Sequence, residues 1–399
     1  MRLRILALVG VLAVPCAACI NDRDTLAQEV AAQKDGTNGL PSVARAITGH
    51  FDRNPPLYYS MRLERVAQEL KKTPARLDLY DDAGAAADRL GRSREALEWM
   101  ARKKQQLETQ KLDAQTRREH EYRYLANAGT FHAHLWLREG ANRQNTAQLQ
   151  TGRNMIAQAV KLKPDAHFGR ERYQLLLMEW ILNPPAPPQN GDMARDFLNL
   201  TAMNQDDGEN RLKDSSHSDA LTGLVGLIVL GDAWASFDVY HALMQGAAAQ
   251  GNSPLAILAF QRCRELADNG AKSFAPRRAN DVHPLIWRLN RPQTIENEKD
   301  IRRKYFELRA DAIERREQRD SFMIQKMQKG QHPDTHPHFW NGWSEPAAPD
   351  YSIPDSQAKT KRSFWQLAQP WLMPICLALV ALLSFSFGKK RGQKQSAKL

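Results

Sequence analysis

Residues 77–108 read LDLYDDAGAAADRLGRSREALEWMARKKQQLE, and their pattern decides the fold. Leu77, Tyr80, Ala83, Gly84 and Ala87 fall on one face of a helix. Gly91 supplies a left-handed stop for that helix, and Ser93 is read as the N-cap of the next. Ala96, Leu97 and Met100 carry the apolar stripe onward. Gly84, Ala87 and Ala96 leave room for two antiparallel helices to approach closely, with Tyr80, Leu97 and Met100 filling the space around them.

This unit resembles the tetratricopeptide repeat (TPR), a helix–turn–helix with a 34-residue period. With Leu77 at position 1, Tyr80, Gly84, Ala87, Gly91, Ala96 and Met100 match family positions 4, 8, 11, 15, 20 and 24. Position 27, where the family has alanine, is Lys103, and position 32 has no proline. A second unit carries Tyr122, Leu125, Ala126 and Ala128 on a helix running to Arg138. A turn over 139–146 follows, then a partner helix over 147–162, with Pro164 at the family's terminal proline. A third begins at Ala166 and carries Tyr173, Leu176, Leu177 and Trp180 before NPPAPPQNG interrupts it. Leu221–Leu230, LTGLVGLIVL, is read as a buried helix too short to span a membrane. Residues 232–249 and 253–269 form another pair. The resemblance therefore implies an all-α fold, a right-handed α-solenoid of TPR-like helical hairpins.

The chain has 399 residues, 42% of them hydrophobic, enough to build a core. Its net charge of +11 suggests nucleic acid at first sight, but seven of the 56 basic residues sit at the two ends, leaving 49 against 45 acidic ones in between. A balanced surface has no phosphate-binding footprint, so no nucleic-acid partner is expected.

Residues 1–18, MRLRILALVGVLAVPCAA, have the basic start, apolar stretch and small-residue end of a signal peptide. Cys16-Ala17-Ala18-Cys19 resembles a bacterial lipobox, which marks Cys19 as a lipidation candidate. Residues 365–387, WQLAQPWLMPICLALVALLSFSF, carry no charge and define a transmembrane helix over 364–387. The basic tail 388–399 then lies in the cytoplasm by the positive-inside rule. The order expected is a signal peptide (1–18), a lead-in (19–56) and the TPR-like repeat domain (57–270). An irregular segment with a long charged helix (271–328) and a Pro/His-rich tether (329–363) come before the membrane helix. Residues 19–363 would be extracytoplasmic, at the inner membrane of a Gram-negative-type bacterium. Cys263 is the lone cysteine of the body and is read as a small core residue.

Candidate chemistry is sparse. His120-Glu121 opens like the HExxH zinc motif, but position 124 is Tyr, so the second ligand is missing. His332, His336 and His338 form the one histidine cluster and define a candidate metal site on a proline-rich segment. No cofactor and no catalytic residue is assigned. The resemblance implies a peptide groove on the first helices of the repeats, at Asp78, Asp81, Asp88, Arg89, Arg123 and Asn127. Arg123 and Asn127 match half of a carboxylate clamp, since a cation and an amide can share one carboxylate. Phe168 stands where the next unit's clamp wants Lys. The expected function is a non-enzymatic, membrane-anchored scaffold or adaptor for other envelope proteins. The alternative is a metal- or ligand-responsive envelope enzyme subunit using His332–His338.

Overall fold

A computed structural model describes residues 20–34, 40–164, 166–184, 196–200, 217–275 and 298–353. The expected signal peptide, Cys19, the expected transmembrane segment, the basic tail and most of the proline-rich linker after the third unit lie outside the described residues. Among the described residues the fold is all-α, with helices and no strands, and no helix is long and apolar enough to cross a membrane.

Twelve α-helices are described: α1 (Arg23–Lys34), α2 (Val43–Thr48), α3 (Pro56–Lys72), α4 (Leu77–Arg89), α5 (Ser93–Thr109), α6 (Ala114–Arg138), α7 (Ala147–Leu162), α8 (Arg170–Leu182), α9 (Ala220–Val229), α10 (Phe237–Ala249), α11 (Ser253–Asp268) and α12 (Glu298–Met327). Their ends follow local chemistry. Pro56 opens α3 at a position whose N–H has no helical partner. Asp113 caps α6 by accepting from the Thr116 N–H at 2.9 Å. Gly91 takes φ +80° to end the α4 turn. Ser93, expected as a cap, is instead the first residue of α5, and its buried hydroxyl donates to Asp88 Oδ1 at 2.8 Å. The cap position is Arg92.

From α3 onward each helix packs on the next in chain order, through to α12. Close approach depends on small residues. A methyl on Gly84 would lie 2.8 Å from Met100 Cε and 3.0 Å from the Phe131 ring, and Gly129 and Gly152 bring the α6 and α7 backbones together. The apolar core has two main parts. One groups Leu63, Val66, Tyr80, Ala83, Ala96, Met100 and Phe131 with Ile20. The other runs through α2 and from the end of α6 to the start of α12.

The stack does not stay open at its end. The long helix α12 packs on α11, then on α2 and α3. Its second half packs as well, burying Arg319, Met323 and Met327. Residues 329–343 were expected within the tether. They turn back on α3 instead, burying Phe339 and His332 beside Tyr58 and Met323. The physical reason is aromatic: the His332 ring stacks on Tyr58 at 4.6 Å, and Phe339 meets Phe322 edge-on at 6.1 Å.

Candidate peptide groove and its occupant

The face shared by α4, α6 and α8 holds the chain's own N-terminal segment. Ile20 and Asn21 are fully buried and lead, without helix, into the first turn of α1. Asn127 on α6 grips the backbone of Asn21 from both sides. Its Oδ1 accepts the Asn21 N–H at 2.7 Å, and its Nδ2 donates to the Asn21 carbonyl at 2.9 Å. Arg170 at the start of α8 donates to the Ile20 carbonyl at 3.1 Å. Asp82 on α4 accepts from the Arg23 N–H at 2.9 Å and from its Nε at 2.7 Å. Asp22 caps α1, accepting from the Thr25 N–H at 3.0 Å.

Asn127 is aimed by a buried ion pair. Lys103 Nζ donates to both Asp81 oxygens at 2.6 Å, and Asp81 Oδ1 also accepts from Asn127 Nδ2 at 3.0 Å. Lys103 is fully buried and Asp81 nearly so. Burial pulls each toward its neutral form, and the opposite charge opposes that. The short bonds on every side favour the charged pair. Lys103 thus builds the mount for Asn127 through Asp81.

Below this, Arg62 on α3 is fully buried among three carboxylates. Its guanidinium takes Asp24 in a fork at 2.8 and 2.9 Å, binds Asp334 at 2.6 Å and lies 3.7 Å from Asp22. It also bonds the Tyr58 hydroxyl, which donates to Asp24 at 2.8 Å. Arg65 and Arg23 reach Asp334 as well. Three arginines thus face four carboxylates: Asp22, Asp24, Asp82 and Asp334. Burial raises two of these carboxyls, Asp22 and Asp82, above their ordinary value. At Asp22, burial and then the charge of Asp24 raise the carboxyl to about 6. Burial would raise Asp334 too, but the Arg62 hydrogen bond and charge hold it below its ordinary value. A cavity of about 330 Å³ opens beside the segment, lined by Asp22, Asp24, Tyr58, Arg89, Arg319 and Asp334 among others.

The other residues read from the sequence divide. Asp81 and Asn127 belong to the groove. Asp78 is half-exposed and pairs with Arg76 at 2.7 Å. Asp88 faces α5 and α6, where it binds His134 at 2.5 Å, Ser93 and Arg138, and it holds the hairpins together. Burial opposes ionisation of Asp88, but His134 and Arg138 win and hold its pKa well down. Arg89 lines the cavity, pairing with Asp232 at 3.2 Å and donating to the Leu230 carbonyl. Arg123 is taken up by Glu119 one turn away at 2.8 Å, so the two halves of the clamp do not act together on the segment.

In the histidine cluster, His332 Nδ1 accepts from the Asp334 N–H and Nε2 faces the Tyr58 carbonyl at 3.0 Å, so both nitrogens are engaged. His336 Nδ1 accepts from the His332 N–H at 3.1 Å, and His338 is exposed. Among the described residues no group of three His, Cys, Asp or Glu side chains is placed to hold a metal ion. Cys263 is free and buried, its thiol pushed up by burial. Arg62 and Arg170 were missed by sequence reasoning. Arg62 lies four residues from both Tyr58 and Val66, which are buried on the same face of α3.

Comparison with protein-family models, with curated proteins and with solved structures finds no match.

Proposed function

We propose that this protein is a TPR-like α-solenoid scaffold, anchored by a C-terminal membrane helix, which binds other envelope proteins on the extracytoplasmic side. Its groove takes a segment of the partner. The single observation that carries this reading is the segment already in the groove: Asn127 and Arg170 hold Ile20 and Asn21 through backbone groups, which any peptide has. Sequential hairpins with a polar face, and the TPR pattern of residues 77–108, support the same reading. Fold alone does not fix function, so the site carries the argument.

The test is site-specific photo-cross-linking in intact cells. A photoreactive residue replacing Arg123, one turn from Asn127 on α6, is expected to give a discrete adduct with an envelope protein. The same residue replacing the exposed Glu317 on α12 is expected to give none. Identical adduct patterns from both positions, or none from position 123, would overturn the groove as the partner site.

A further inference from the structure

The groove reads more than backbone. Ile20 fills the apolar pocket of the α3–α6 cluster and is fully buried. Asp22 marks where the segment becomes helical, capping α1. In the first helical turn, Arg23 is read by Asp82 and Asp24 by the Arg62 fork. Opposite charges at neighbouring positions are thus matched by a carboxylate on α4 and a guanidinium on α3. Between these anchors the Asn21 side chain has no hydrogen-bond partner among the described residues, so the groove does not read it by a direct bond.

We propose that residues 20–25 hold the place of an external ligand of the same chemistry. That ligand is a short peptide segment, non-helical and then helical, with an aliphatic residue followed three and four positions later by Arg and Asp. The inference rests on the groove being the partner site and adds what the groove selects and what regulates it. Tethering gives the chain's own segment an effective concentration on the order of millimolar. A free peptide of ordinary affinity is therefore excluded until the segment leaves, and a partner must undock residues 20–25 to bind.

The probe is a synthetic peptide spanning residues 20–34 with a fluorophore at its C-terminal end. It is titrated into the full chain in mild detergent, with binding read by anisotropy. Ile20→Asp in the protein places a charge in the apolar pocket and undocks the chain's own segment. Asn21→Pro does so separately, by removing the N–H that Asn127 accepts. Both variants are expected to bind the peptide at least about tenfold tighter than the wild-type chain. Adding Asn127→Ala to Ile20→Asp is expected to abolish that gain, as is exchanging Arg and Asp in the peptide.

The inference is overturned if both variants keep wild-type helicity and neither binds, or if the wild-type chain binds as tightly as they do. It is also overturned if the wild-type chain is a dimer that the peptide splits, since the segment would then sit in a second copy. Loss of the position-123 cross-link with peptide binding intact would sink the adaptor reading alone. The reverse result would remove only the ligand class and the place-holding segment.

Discussion

Around α9, α10 and α11 the interior is largely hydrocarbon: Leu224, Leu227, Val239, Leu243, Leu258 and Cys263 are all fully buried. Around α3, α4 and α6 the interior carries Arg62, Asp81, Asp82, Asp88, Lys103 and Asn127, each no more than 3% exposed. Both regions are stacked helices in one chain, yet they hold together by different means. Apolar burial is non-directional and tolerates rearrangement. A buried ion pair returns little net stability, but each charge makes its partner indispensable and fixes where it points. The apolar end is built to persist, and the polar end is built to place atoms at set positions around a backbone.

The comparison can be broken most sharply at Lys103. Lys103→Met leaves Asp81 buried without its cation and is expected to cost about 3–5 kcal/mol in chemical denaturation. The double variant Lys103→Met with Asp81→Leu should recover most of that loss, because both charges are gone, yet it should still leave Asn127 poorly aimed. If the double variant is as unstable as the single one, the pair contributes through packing and the contrast between the two regions collapses. In the apolar region, Leu224→Ala is expected to cost about 2–5 kcal/mol, set by the cavity left behind, and no charge change at a neighbour should rescue it.

A smaller effect sharpens the polar side. Asp22 rises from 3.8 to about 6 in the folded chain. The docked segment therefore holds a proton that the undocked segment releases between those values. The stability this carries is present below pH 3.8 and is lost as pH rises through about 6, at most about 3 kcal/mol. The charges facing Asp22 are Asp24, Asp82, Arg62 and Arg89, with Tyr59 close by. Protection of the Asn21 amide in hydrogen exchange should fall between about pH 5 and about pH 7, one unit below and above that value. In Asp22→Asn it should stay level. Parallel behaviour of the two chains would remove Asp22 as the cause.

The helices were legible because their stripes are. The turn at 139–146, the partner helix over 147–162 and the buried run at 220–229 all follow from spacing. Asn127 was read as half of a carboxylate clamp, and in the structure it holds the Asn21 backbone instead. Asp88 and Arg89 share the repeat register but point elsewhere, because α4 is enclosed by α3, α5 and α6 and a register does not say which neighbour claims a side chain. Residues 20–25 carry no periodic pattern, so nothing local marks them as an occupant. The segment after Met327 was illegible for a related reason. Its prolines and glycines exclude a helix, but His332 and Phe339 are buried by contacts with α3 and α12, which no local reading supplies.

Asp334 ties this architecture to the order of synthesis. Arg62 finds Asp24 only 38 residues away, whereas Asp334 lies 272 residues further along the chain. Closing so long a loop adds little entropy beyond that of a medium one, but it cannot precede the translation of residue 334. Until then α3 carries a guanidinium built to share three carboxylates and has only two within reach. The N-terminal segment is therefore the first part of the groove to be made and the last to be secured. A growing chain passes through a stage with its hairpins stacked and its clasp open, and that stage ends only when the region after α12 arrives.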